Sequence, residues 1–291
     1  MNGRRLPTHA PSARGEVRLL TYLAPGLPFD LFHAVGLRLS DALGMPTVLT
    51  SDPTRSGPAA GEDDPFRGDA ADVGFLCAPS YLWLAAATPP AVELVPAAFV
   101  FDHPRGMGRP VHFAELVVAA DSPVRSFAEL KGARWVYNDP CSLSGYFSVL
   151  ANLAERGLGL EHFDSVREVG SHHAALHAIE TGQADCAAID SSTLLLARRR
   201  GAAQGVRVLE SFGPYPVQPI VVRAGLSDEL KQGLAAALLA MHEHGPSARR
   251  LAACGVLRLA PIGPDEYEHE RRLLELAQGL ASSMGCAHEA R

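Results

Sequence analysis

Apolar residues recur along this chain in two alternating rhythms. Short unbroken runs at Val17–Leu23, Met45–Thr50, Asp72–Cys77, Val92–Phe101, Phe113–Ala120, Ala133–Val136, Ala184–Ile189 and Ile220–Val222 read as buried strands. Between them the spacing turns helical. Leu31, Phe32, Val35, Leu39 and Leu43 mark one face of a helix over 29–43, which Gly44 stops. Phe147, Leu150, Leu153 and Ala154 mark another, and Ser171 opens a third that runs through Leu176 and Ile179. Further helices are predicted at 191–199, 228–242, 247–252 and 264–282. Strand and helix alternate throughout, which predicts an α/β fold with mostly parallel sheets.

The unit at 121–211 carries its own strands and helices. It is entered and left through short connections, Ala120-Asp121-Ser122 and Phe212-Gly213-Pro214. The expected division is therefore a discontinuous first lobe, 16–118 plus 215–291, and an inserted second lobe, 121–211. Two crossover strands would join them, an arrangement suited to hinge closure over a ligand. Residues 1–15, polar and rich in Pro, Arg and Ser, read as a disordered tail. The Pro/Gly/Asp-rich stretch 51–68 reads as the least ordered internal loop.

Composition narrows the function. Among 291 residues 47% are hydrophobic, enough for a full core, and the formal net charge is −6 with no basic stripe, so no nucleic-acid partner is expected. The five cysteines are widely spaced without a C-x-x-C, which argues for small core residues over a metal or disulfide framework. His173 and His177 share a helix face, but the sequence places no third ligand; no metal or cofactor is expected. No apolar run is long enough to span a bilayer, and the first 15 residues lack an apolar h-region. As written the chain is expected in the cytoplasm; an upstream in-frame start would place it in the periplasm.

The chemistry concentrates at Tyr137-Asn138-Asp139-Pro140-Cys141-Ser142-Leu143-Ser144-Gly145-Tyr146. A strand, a short turn and a helix start leave backbone N–H groups pointing out of the helix end, where the dipole favours an anion. Ser142 and Ser144 add hydroxyls, and Gly145 is expected to let a ligand approach the backbone. The plain alternative is an ordinary helix cap. Asp190 ends a buried strand, where an acid needs a partner: a ligand, an ion pair, or the cap of the next helix.

These segments resemble a known family. Asp121-Ser122-Pro123 through Gly132 looks like the start of the second lobe of type II periplasmic-binding-protein folds. The stretch Asn138–Tyr146 is similar to the D-P-x-S-x-S-G loop of the phosphonate/phosphite-binding (PhnD-like) branch, and Gly170–Leu176 resembles its G-S-H-x-x-A-L. Gly182–Ser191 resembles its G-x-x-D-A-A-x-D-S, and Pro219–Arg223 its return segment. The resemblance spans about residues 16 to 260 and implies a substrate-binding protein that closes on a small oxyanion for an ABC-type transporter or a sensor. It implies that Ser142, Leu143, Ser144, Gly145 and Tyr146 surround the anion, that His172 donates to it, and that Asp190 faces the rest of the ligand. Tyr81 and Tyr22 would close the cleft from the first lobe. Two positions depart from the pattern: Leu143 stands where the family has threonine, and His112-Phe113-Ala114-Glu115 stands where it has a Tyr and a Ser, which puts Glu115 near the expected cleft. The alternative is a cytosolic enzyme of the same fold acting on a small anionic metabolite, with Cys141, His172 and Glu115 as its candidate groups.

Overall fold

The computed structural model describes residues 15–62 and 64–283. The tail expected at the N-terminus, apart from Gly15, and Cys286 lie outside them.

In chain order the elements are β1 (Val17–Thr21), α1 (Phe29–Leu43), β2 (Thr47–Ser51), β3 (Val73–Phe75), α2 (Ala78–Ala86), β4 (Val92–Leu94), β5 (Ala98–Phe101), β6 (Val111–Ala119) and β7 (Arg134–Tyr137). A π-helical turn, Leu143–Phe147, leads into α3 (Ser148–Glu155). Then come β8 (Ser165–Glu168), α4 (His172–Glu180), β9 (Cys186–Asp190), α5 (Ser191–Arg199) and β10 (Val206–Pro216). The chain ends with β11 (Ile220–Arg223), α6 (Asp228–Leu239), α7 (Gly245–Ala253), β12 (Val256–Ala260) and α8 (Glu268–Ser283).

Two five-stranded sheets organise these elements. The first runs β2-β1-β3-β11-β4 and the second β10-β6-β9-β7-β8, while β12 and β5 form a separate pair. The sheets are mixed, not mostly parallel: β1 lies parallel to β2 and β3, but β11 joins antiparallel, as do β6 and β10 in the second sheet. Strands that enter by crossing between sheets, instead of through a helix, are free of the parallel crossover rule. The pairing also puts β6, counted with the first lobe in the sequence reading, in the second sheet beside β9.

The apolar run 92–101 is two strands. Pro96 interrupts it without a backbone donor, so β4 pairs with β11 while β5 turns away to β12, a strand the sequence reading missed. Gly44 ends α1 as expected: it sits at φ +65°, and its N–H returns to the Ser40 carbonyl. Under the second sheet Trp135, Tyr137, Tyr146 and Phe163 form a continuous aromatic cluster with ring centroids 4.7 to 6.1 Å apart. Each such buried ring stabilises by roughly 1.5–3 kcal/mol, so the strand that carries the focal loop is anchored from below. Helix α8 packs on α2 of the first sheet's layer and on α3 of the second's.

Candidate ligand cleft

Between the two sheets lies a small polar cleft of about 60 Å³. At the roughly 10–15 Å³ that one water needs, it accommodates a compact ion and little more. Its lining gathers the starts of several helices. Ser142 and Ser144 belong to the turn that opens α3, Ser171 and His172 begin α4, Asp190 and Thr193 begin α5, Cys77 is the N-cap of α2, and Leu27 immediately precedes the cap of α1. Helix starts that border one space favour negative charge there.

The first side of the cleft comes from loops after β1 and β2. Tyr22 is buried, and burial together with nearby Asp52 pushes its hydroxyl up to about 12, so it remains a donor. Arg55 lines the cleft as a cation paired with Glu62. Ser56 reaches across and donates to Asp139 Oδ2 at 2.6 Å. The two sides touch again where His173 Nε2 lies 3.2 Å from the Pro25 carbonyl, and where the Leu143 N–H meets Cys77 Sγ at 3.2 Å. These cross-links describe a closed cleft.

On the second side the loop is held largely by its own hydrogen bonds. Asp139 accepts from the Cys141 N–H at 2.9 Å and from Asn138 Nδ2 at 2.7 Å; burial raises its carboxyl, and the bonds from Ser56 and then from the Cys141 N–H oppose that rise. Ser142 Oγ accepts from the Gly145 N–H at 3.1 Å, so this serine is the helix cap of the plain reading as well as a cleft wall. Ser144 Oγ stands 3.3 Å from His172 Nε2. Burial pushes His172 down to about 4, so the ring is neutral near pH 7 and can offer one N–H. Asn138 Oδ1, His172 Nδ1 and Gln218 Oε1 are buried without a hydrogen-bond partner among the described residues, and all three residues line the cleft. Unsatisfied groups of this kind are rare in native interiors and often mark a missing ligand or water.

Asp190 combines two of the roles weighed for it. Its Oδ1 caps α5, accepting from the Ser192 and Thr193 N–H groups at 2.8 and 3.1 Å; its Oδ2 meets His112 Nδ1 at 2.5 Å and Gln218 Nε2 at 2.7 Å. Burial alone would raise this carboxyl, but His112 and the backbone donors outweigh it and hold it at about 2. Asp190 faces the cleft as a fully bonded anion.

The cleft therefore brings together Tyr22, Ser142, Ser144, His172 and Asp190. It does not include the remaining expected residues. Tyr81 packs edge-on against Tyr267 at 5.3 Å under α8. Leu143 and Tyr146 are core residues. Gly145 is glycine for Asn138's sake: a Cβ there would lie 1.8 Å from Asn138 Oδ1. Glu115 is buried away from the cleft, bound by Arg105 and by Ser211 Oγ at 2.5 Å. Position 115 faces the second sheet's β10 partner, so a buried acid there is matched by a cation and not by a ligand. Cys141 faces a different cavity, and burial followed by Asp139 pushes its thiol up to about 12, so it is neither a thiolate nor beside His172 in the cleft.

Several lining residues escaped the sequence reading. Asn138 and Asp139 lay inside the quoted motif without an assigned role. His112 and Gln218 had no local signal, because their importance arises only when β6 and the crossing after β10 meet Asp190. Arg55 and Ser56 sit in the loop expected to be least ordered.

A family model for periplasmic substrate-binding proteins of phosphonate ABC transporters matches residues 30–267. Among solved structures, the binding-protein component of a phosphonate ABC transporter from Pseudomonas aeruginosa superposes with a TM-score of 0.75 at 18% identity, covering 94% of this chain and 89% of that one. PhnD1 from Prochlorococcus marinus in complex with methylphosphonate gives 0.73 at 15% identity, covering 90% and 97%. The aliphatic sulphonate binding protein SsuA from Escherichia coli gives 0.58 at 15% identity, covering 93% and 88%.

Proposed function

The chain belongs to the phosphonate ABC-transporter substrate-binding family, and from that premise we propose that its cleft takes the tetrahedral oxyanion head of a phosphonate, phosphite or phosphate ester. Its role is substrate binding, with a small-molecule ligand and a transporter permease as partner. The observation that supports the ligand class best is the convergence of helix starts on about 60 Å³ lined by Ser142, Ser144 and a neutral His172. Backbone and hydroxyl donors of this kind match a multi-oxygen anion, and His172 as its Nδ1–H tautomer would add one more donor.

In this reading residues of the first and third sheets form one lobe and those of the second sheet the other, hinged at the stretches between β5 and β6 and between β10 and β11. Ligand binding would shift the lobes toward the closed arrangement by its preference for that state. Periplasmic action beside a permease is the setting we propose, with a sensor as the second possible receiver of the closed form. Calorimetric titration of wild type and Ser144→Ala with methylphosphonate, phosphite, phosphate and methanesulfonate tests the ligand class. Phosphoryl anions should bind and weaken about tenfold in the variant; heat only from the sulfonate, or unchanged affinity in Ser144→Ala, would refute it.

A further inference from the structure

Beside the anion cleft lies a second, larger cavity of about 500 Å³, within the range of small-molecule sites. Arg55 lines both spaces, and the loop between them alternates: Asn138, Asp139 and Ser142 face the cleft, while Pro140 and Cys141 face the larger cavity. The cavity has an aromatic wall. Trp83 of α2 and Phe147 of the turn before α3 meet edge-to-face with centroids 6.1 Å apart, and Leu82 and Leu274 extend the apolar surface.

Its charges favour a cation. The lining carries Glu62, Glu168 and Glu275 against Arg55 and Arg271. Both guanidiniums are already engaged, Arg55 by Glu62 and Arg271 by Glu268 at 3.4 Å. Glu168 and Glu275 have no ion-pair partner among the described residues. Burial and then the neighbouring Asp139 raise the Glu168 carboxyl, while Arg55 lowers it. An ammonium placed against aromatic faces and carboxylates is favoured by both. Inside the cleft, by contrast, Asp190 is saturated by His112, Gln218 and two backbone donors, so it has little left to give a ligand amine.

We propose that the larger cavity holds the bulky cationic end of the ligand, so that the preferred ligand is a phosphoryl compound carrying a substituted ammonium, with its phosphoryl group in the cleft. This rests on the anion-binding reading above. Three probes separate the two spaces: methylphosphonate for the cleft alone, phosphocholine for cleft plus cation, and 3,3-dimethylbutyl phosphate as phosphocholine's isostere without the ammonium charge. Calorimetry on wild type should show phosphocholine binding at least tenfold tighter than the isostere. Trp83→Ala should lose about tenfold for phosphocholine while methylphosphonate stays within threefold. The Glu168→Gln/Glu275→Gln double variant, which leaves the apolar wall intact, should erase most of the preference for phosphocholine over the isostere. Phosphocholine no tighter than its isostere, or full preference retained in the double variant, overturns the cation assignment while methylphosphonate binding leaves the anion reading in place. If none of the three binds wild type, the anion reading fails and this assignment falls with it.

Discussion

His112 Nδ1 lies 2.5 Å from Asp190 Oδ2, joining β6 to the end of β9 at the floor of the cleft. Replacing the acid by its amide keeps one oxygen for the helix-start N–H groups but removes the charged acceptor that His112 Nδ1 and Gln218 Nε2 share. Asp190→Asn should destabilise the protein by about 3–5 kcal/mol, the range for breaking a buried pair from one side. Urea unfolding monitored by circular dichroism gives the number, and a loss under 1 kcal/mol would contradict the arrangement.

The same carboxyl sets an acid limit. Its folded value is about 2, below the ordinary Asp value, so its contribution is complete above about pH 4 and is lost as pH falls toward 2. The loss should amount to roughly 2 kcal/mol. Stability measured between pH 5 and pH 2 should fall more steeply in wild type than in Asp190→Asn.

Glu270 behaves in the opposite sense. It is fully buried on α8, and neither carboxylate oxygen has a hydrogen-bond partner among the described residues. Burial pushes it up to about 8. The folded chain thus keeps a proton that the unfolded chain has released, so stability declines as pH rises from about 4.5 to 8 and levels off above. Glu270→Gln should flatten that decline, worth a few kcal/mol at pH 8. Thermal melts across this window check it; parallel pH profiles for the two proteins would be the contrary result.

Cys141 is predicted to be a spectator. Cys141→Ala should leave oxyanion affinity within a few-fold, since the thiol does not face the cleft. With its thiol near 12, labelling by a maleimide at pH 7 should be slow in the native protein and become fast only in denaturant.

Gly145→Ala should be far more damaging than its size suggests. The added methyl would overlap Asn138 Oδ1, and Asn138 is tied to Ser56 across the cleft and to its neighbour Asp139. Both stability and anion affinity should drop, the latter by tenfold or more. Asn138→Ala/Gly145→Ala should recover part of the stability, because the clash is gone.

How far the sequence could be read depended on whether a feature was local. The helix at 29–43, the Ser171 cap and the turn at 142–147 were legible because spacing, capping chemistry and glycine position are properties of a few adjacent residues. Pro96 was a local signal too, though the strand it divides was read as one. Glu115 was misplaced for a different reason: its partners, Arg105 and Ser211, come from separate stretches, and nothing beside Glu115 shows that the charge is already matched. His112 and Gln218 stayed hidden in the same way, being ordinary residues until the crossing segments bring them to Asp190.

The helix starts around the cleft carry a further consequence. Peptide dipoles have no proton to release, and the neutral His172 has already lost its own well below pH 7. Between pH 6 and 8 these cleft groups therefore keep their charge, and a change in affinity over that interval that tracks the guest's own pKa reports its second ionisation. Such a cradle keeps its grip across acidified or alkaline surroundings and counts charges on the molecule it captures, not in the medium around it.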